Sequence, residues 1–196
     1  MICPRAILNG TYKPSQCGKT KAPPCDDDPQ AYAGLYSRHK RCYNNLTKER
    51  FSPMIKILFV CHGNICRSPM AEFVMKDLVA KARVAGGFEI ASAAVSREEI
   101  GNPVYPPARR ELQKHGISCA GKTARQVTMA DFHRYDRIYY MDASNARYLA
   151  RMLPRDDDKI RPLLPRDVAD PWYTGDFSRT WNDILEGCQK ILEEFV

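Results

Sequence analysis

Val60-Cys61-His62-Gly63-Asn64-Ile65-Cys66-Arg67-Ser68-Pro69 is the stretch on which the reading of this chain turns. An apolar run, Ile55-Lys56-Ile57-Leu58-Phe59-Val60, leads into it, and a helix-like run from Met70 to Arg83 leads out. A cysteine therefore closes an expected strand, and six residues on an arginine opens an expected helix. A helix start offers unpaired backbone N–H groups and the positive end of the helix dipole, which together suit an anion. Gly63 and Asn64 tolerate the tight backbone that aims further amides inward. Arg67 adds a planar fork able to hold two phosphate oxygens at once. Cations and helix termini favour the thiolate form of a cysteine. The stretch reads as a thiolate nucleophile, Cys61, at the bottom of a phosphate-sized cup walled by His62, Gly63, Asn64, Ile65, Cys66, Arg67 and Ser68. The plainer alternative is an ordinary strand–turn–helix with a buried Cys61 and a surface Arg67. The Gly-Asn-x-Cys interior weighs against it.

Outward from this stretch the pattern alternates strand and helix. Strands are expected at Ile55–Val60, Phe88–Ala93, Arg137–Met141 and Lys159–Leu163, with Pro162 confining the last to an edge. Helices are expected at Pro69–Arg83, Pro106–His115, Thr128–Tyr135, Ala143–Leu153 and Thr180–Glu194. Met70, Phe73, Val74 and Leu78 form the apolar stripe of the first helix, and Trp181, Ile184, Leu185, Cys188, Ile191 and Leu192 that of the last. Thr128-x-x-Asp131 is a capping box. The fold expected is three-layer α/β, a four-stranded parallel sheet with helices on both faces. Ligands of such sheets sit at the carboxyl ends of the strands, beside a topological switch point, and Cys61 falls there.

Residues 1–53 read differently. They hold Pro4, Pro14, Pro23, Pro24, Pro29 and Pro53, the acidic triplet Asp26-Asp27-Asp28, and no sustained periodicity beyond a short helix-like stretch at 31–44. They carry 9 Lys+Arg against 4 Asp+Glu, a net of +5, while residues 54–196 carry 21 against 19, a net of +2. The basic balance thus belongs mostly to the front, and behind it no basic stripe interleaved with aromatics suggests nucleic acid. The expectation is a poorly ordered extension at 1–53, outside the native protein if Met54 is the natural start, followed by a catalytic domain at 54–196. Cys3, Cys17, Cys25 and Cys42 in the front show no zinc-like spacing, and a secreted disulfide module would need a signal sequence. Asn9-Gly-Thr and Asn45-Leu-Thr match a glycosylation pattern that matters only in a secretory protein. No run reaches the length of a membrane span or a signal peptide, so the cytoplasm is the expected compartment.

A second chemical signal is Asp170-Pro171-Trp172-Tyr173, in an expected loop. A leaving phenolate needs a proton as the P–O bond breaks, and a positioned carboxylic acid can give it. Pro171 stiffens the segment, and Trp172 and Tyr173 can flank a flat ring. Gly116 to Thr123 fits the nucleotide-binding P-loop pattern, but no strand precedes it and no long helix follows, so the match is set aside. His39, His62 and His133 show no ligand spacing, and Asp156-Asp157-Asp158 reads as a solvated loop.

Cys61-x5-Arg67 and the fuller string Cys61-x-Gly-Asn-Ile-Cys-Arg-Ser68 resemble the low-molecular-weight protein tyrosine phosphatases. The Asp170-Pro-aromatic-Tyr173 segment resembles the same family, as do Arg125-Gln-Val-Thr128, Met141-Asp-x-x-Asn145 and His115-Gly-Ile117. The resemblance spans 54–196. It implies that Cys61 attacks phosphorus to form a cysteinyl-phosphate, that Arg67 and the loop amides hold the equatorial oxygens, and that Ser68 bonds the sulfur. It further implies that Asn64 keeps the loop shape with Ser92 and His115 in support, and that Asp170 serves as general acid and then base. No metal and no cofactor are implied. Cys66 is either a small buried hydrophobe or, as the resemblance suggests, a resolving thiol for oxidised Cys61. The implied partners are phosphotyrosine-containing proteins, with no nucleic acid and no membrane, and the chain acting as a monomer.

Three alternatives stay open at this level. Arsenate reductases of this fold relay a disulfide through nearby cysteines, whereas Cys119 and Cys188 lie 69 residues apart. Protein-arginine phosphatases carry a threonine where this chain has Ile65. A binding module could hold phosphotyrosine without hydrolysing it. The chain departs from animal members at Ser96-Arg-Glu-Glu-Ile-Gly101, with charges where they carry an aromatic. That loop, and Trp172 in a tyrosine position, look more like bacterial members.

Overall fold

The computed structural model describes residues 54–196, so the expectations for 1–53, including the helix-like stretch at 31–44, the front cysteines and both Asn-x-Thr patterns, lie outside the described residues. In chain order the elements are β1 (Ile55–Cys61), α1 (Arg67–Lys81), β2 (Phe88–Ala94), α2 (Pro106–Lys114), α3 (Met129–Arg134), β3 (Arg137–Tyr140), α4 (Ala143–Met152), β4 (Ile160–Pro162), α5 (Pro171–Thr174) and α6 (Phe177–Phe195). The four strands form one sheet in the order β2-β1-β3-β4, and every pair is parallel.

The alternation of side chains along β1 builds the two faces. Ile57, Phe59 and Cys61 join a core with Met70, Val74 and Met75 of α1, Leu112 of α2, and Ile184, Cys188 and Ile191 of α6. Leu58 and Val60 face the other way, onto Ile138, Tyr135 and Leu149 beside α3 and α4. Helices thus cover both faces, as parallel strands buried on two sides require. The chain leaves β1 for β2 on one side, then crosses back to β3 on the other. The reversal falls at the carboxyl end of β1, where Cys61 sits. β4 is the sheet edge, which is where Pro162 can be tolerated.

Most element ends fall within two residues of the expected ones, and three differences have a clear physical reason. α1 begins at Arg67 rather than Pro69, because proline is tolerated anywhere in the first turn, where N–H groups lack helical acceptors. α6 begins at Phe177 rather than Thr180, because the Asp176 carboxylate accepts the Arg179 N–H at 2.8 Å and caps the helix. The expected loop at 170–173 is a single helical turn, α5, opened by Asp170 and closed by Gly175 in the left-handed region (φ 69°). Among the described residues no helix is long and apolar enough to cross a membrane.

Candidate active site

The segment between β1 and α1 lines a cavity of about 420 Å³, shared with residues of α4, α5 and the loop after β2. Cys61 lies buried at its base, with the Ser68 hydroxyl 3.0 Å from Sγ and the Asn64 N–H donating to Sγ at 3.3 Å. α1 starts against this cavity with no side-chain cap from Cys66 and no acidic residue in its first turn. By contrast, Thr128, Asp142, Asp170 and Asp176 cap α3, α4, α5 and α6 with their side chains. α2 also lacks a side-chain cap but starts on two prolines, which carry no N–H, so the first N–H groups of α1 are left to an outside acceptor at the cavity.

Arg67 is nearly fully buried, and two helix caps hold its fork. Nη1 donates to Asp142 Oδ2 and Nη2 to Asp170 Oδ2, with a further contact from Nη1 to the Val168 carbonyl at 3.3 Å. Each aspartate uses its other oxygen to cap a helix: Asp142 Oδ1 accepts the Asn145 N–H at 2.7 Å and Asp170 Oδ1 the Trp172 N–H at 3.1 Å. Burial works against the guanidinium charge, but Cys61, Asp170 and Asp142 outweigh it and its pKa is raised, so Arg67 stays a cation. Burial, then the nearby Cys61 and Asp170 charges, pushes the Cys66 thiol upward, so Cys66 stays protonated.

Asn64 adopts a left-handed backbone (φ 59°), a conformation short polar residues tolerate better than most. Its amide Nδ2 donates to Ser68 Oγ and to Ser92 Oγ, both at 2.8 Å, and its Oδ1 accepts the Arg125 N–H at 3.2 Å. Ser92 in turn donates to Glu72 Oε2 at 2.6 Å. Glu72 is buried on α1, yet its pKa is lowered. Desolvation disfavours its charge, but Lys122 at 2.9 Å and bonds from Lys76 and Ser92 prevail. This chain of bonds has a direction. The Ser92 proton goes to Glu72, so Ser92 Oγ accepts from Asn64. Asn64 donates to Ser68 Oγ, which leaves the Ser68 proton to be shared between Cys61 Sγ at 3.0 Å and the Ala93 carbonyl at 3.3 Å. Arg125 is itself fixed by a bidentate pair with Asp131, the residue that closes the capping box with Thr128.

The structure brings Cys61, His62, Gly63, Ile65, Cys66, Arg67, Asp170, Trp172 and Tyr173 to one cavity, with Asn64, Ser68 and Ser92 in support beneath. His115 does not belong there. It follows α2, stacks flat on Trp181 at 3.7 Å between ring centroids, and faces Glu111. The apolar face of α6 claims its ring, and Arg125, Ser68 and Ser92 supply all the partners of the Asn64 side chain. Asp142, Glu72 and Lys122 were missed as site residues. Asp142 had a signal, a capping Asp-x-x-Asn at the end of β3. Glu72 stands four residues after Ser68, one helical turn on the same face. Lys122 lies in the set-aside P-loop pattern, where it serves Glu72 and the Ser92 carbonyl rather than a nucleotide.

A protein-family model described as low molecular weight phosphotyrosine protein phosphatase matches residues 56–196. The chain is 41% identical over 147 residues to the low molecular weight protein-tyrosine-phosphatase YfkJ of Bacillus subtilis (strain 168), covering 71% of this chain and 94% of that one. It is 40% identical over 149 residues to the low molecular weight phosphotyrosine protein phosphatase of Gallus gallus, covering 70% and 94%. The crystal structure of YfkJ from Bacillus subtilis superposes with a TM-score of 0.70 at 40% identity, covering 74% of this chain and 96% of that one.

Proposed function

The chain belongs to the low molecular weight phosphotyrosine protein phosphatase family and is a protein tyrosine phosphatase; on that premise we propose how its residues carry out the hydrolysis. Cys61 Sγ attacks the phosphorus of phosphotyrosine as the bond to the phenolic oxygen breaks. Asp170 delivers its proton to that oxygen, so tyrosine leaves neutral. Arg67 and the amides at the start of α1 hold the three equatorial oxygens, whose charge they match through the transition state. Asp170 caps α5 through Oδ1, so the oxygen free to be displaced from Arg67 is Oδ2. Arg67 Nη2 exchanges it for a phosphate oxygen, which turns the carboxyl toward the leaving group. In the second step Asp170 takes a proton from water, water attacks phosphorus, the S–P bond breaks, and phosphate departs. Ser68, held as an acceptor by Asn64 of the Glu72–Ser92–Asn64 chain, turns its proton from the Ala93 carbonyl to the sulfur and stabilises the thiolate before attack and as it is released. Arg67 and the amides supply the positive charge, so the reading needs no metal.

The observation that carries this assignment is the convergence of Cys61, the Arg67 fork and the Asp170 carboxylate on one cavity. Ile65, apolar and at the cavity wall, suits an aryl leaving group more than a guanidinium. Cys66 extends the reading to oxidation: a peroxide oxidises the Cys61 thiolate to a sulfenic acid, the Cys66 thiol condenses with it as water leaves, and a low-molecular-weight thiol reduces the disulfide back to the two cysteines. A cytoplasmic setting suits a thiol nucleophile, and the four described cysteines are free.

The test is hydrolysis of p-nitrophenyl phosphate by the full chain in a metal chelator under reducing conditions, beside Cys61→Ser. Turnover by the parent is expected, with a loss of at least about 10³-fold in the variant. An inactive parent, or a variant that keeps most of the rate, overturns the assignment.

A further inference from the structure

Four carboxylates line the cavity, and they divide into two pairs. Asp142 and Asp170 are bonded to Arg67 deep in the site. Glu98 and Glu99, from the loop after β2, stand at the mouth. Among the described residues neither is ion-paired with a lysine or arginine. Glu98 Oε2 lies 3.1 Å from His62 Nε2, and 71% of its side chain is exposed. Glu99 accepts from Asn102 Nδ2 at 2.7 Å, and its stem lies on the phosphate loop, where Cγ would sit only 3.1 Å from a Cβ added to Gly63. Three aromatic side chains share the rim. Tyr148 meets the His62 ring edge-on and carries Arg151 over its face at 6.0 Å, so the open faces are those of Trp172 and Tyr173, which are largely exposed.

The floor of this cavity attracts an anion and its mouth repels one. Two carboxylates at the mouth oppose any bare dianionic substrate alike. They become an advantage only when the groups flanking the phosphate are cationic, and the exposed aromatic faces beside them can stack on a guanidinium. Resting on the phosphatase reading, we propose that this site selects phosphotyrosine flanked by lysine or arginine, with Glu98 and Glu99 as the residues that set the preference. The carboxylates touch neither phosphorus nor the leaving oxygen, so they act on recognition and leave the chemical step alone.

The experiment measures kcat/KM of the full chain on three phosphotyrosine peptides of equal length, flanked on both sides by Arg-Lys, by alanine, or by glutamate. The Glu98→Gln/Glu99→Gln variant is measured in parallel, and p-nitrophenyl phosphate reports the basal chemistry of both proteins. The parent is expected to favour the basic over the acidic peptide by about fivefold or more at low salt, since each exposed pair contributes little alone. Raising the salt to roughly 0.5 M is expected to shrink that ratio by screening. In the double variant the ratio falls to about twofold or less, with p-nitrophenyl phosphate turnover retained. Equal rates on the basic and acidic peptides, or an undiminished ratio in the variant, overturn the proposal. A parent that hydrolyses p-nitrophenyl phosphate without flank preference defeats this inference alone. A parent inactive on every substrate defeats the phosphatase reading and the inference with it.

Discussion

The loop from His62 to Arg67 and the short helix α5 meet at Arg67, and they are held in opposite ways. The loop is buried under bonds from β1, α1, β2 and the segment before α3, all gathered on Asn64. α5 is four residues long, with Trp172 57% and Tyr173 85% exposed, and is fastened mainly by the caps of Asp170. A strained left-handed backbone such as that of Asn64 persists only where its surroundings over-determine it. A proton donor has a different requirement, since its carboxyl must turn from Arg67 to the leaving oxygen. The rigid half cradles charge that develops in one place, and the loosely fastened half follows a group that departs.

The largest effect that separates the halves is expected from Asp170→Asn. Asparagine caps a helix about as well as aspartate, so α5 should keep its start. The proton donor is lost, together with one of the two carboxylate charges paired with Arg67. kcat on phosphotyrosine should fall by about 10²–10⁴-fold, with a smaller loss on p-nitrophenyl phosphate, whose phenolate leaves more readily without a proton. Inhibition by inorganic phosphate should persist, because the loop that binds it is untouched. Equal losses on the two substrates would sink the general-acid role.

Asn64→Ala should break the other half. It removes three side-chain hydrogen bonds and places alanine in a left-handed backbone, at a cost of about 1–2 kcal/mol for the conformation alone. The loop then relaxes, and misplacement on the ångström scale costs up to about 10²-fold in kcat. Asn64→Gly sharpens the result, since glycine accepts the backbone but not the bonds. If Asn64→Gly recovers full activity, the Glu72–Ser92–Asn64–Ser68 chain has no directing role and only the backbone matters.

What could be read without coordinates tracks how local each signal is. β1 and the phosphate loop are continuous in sequence, so alternation and spacing carry them. α6 carries an unbroken apolar stripe over several turns. Asp142 reaches Arg67 from 75 residues away, and nothing in its neighbourhood distinguishes that duty from ordinary helix capping. Glu72 and Lys122 each look like surface charges until β2 is laid between them. His115 shows the converse: a polar ring after a helix announces no direction, and here Trp181 takes it. α5 is too short for any periodicity, so only its Asp-Pro start was visible.

The smallest effect tests whether the two halves are independent. Tyr105 joins them. Its N–H donates to the Ile65 carbonyl at 2.9 Å, within the loop, while its ring lies 5.3 Å from Trp172 of α5 and 6.1 Å from Phe177. The backbone bond survives truncation of the side chain, but the ring contacts do not. Aromatic pairs contribute about 0.5–1.5 kcal/mol beyond their buried area, so Tyr105→Ala should lower kcat/KM by roughly two- to tenfold by letting α5 drift. The loss should fall on substrates with poor leaving groups, which depend on Asp170, and spare inhibition by phosphate, which depends on the loop. Tyr105→Phe keeps the ring and should be close to silent. If Tyr105→Ala instead weakens phosphate binding as much as it slows turnover, the ring is bracing the loop itself, and the two halves are one rigid unit.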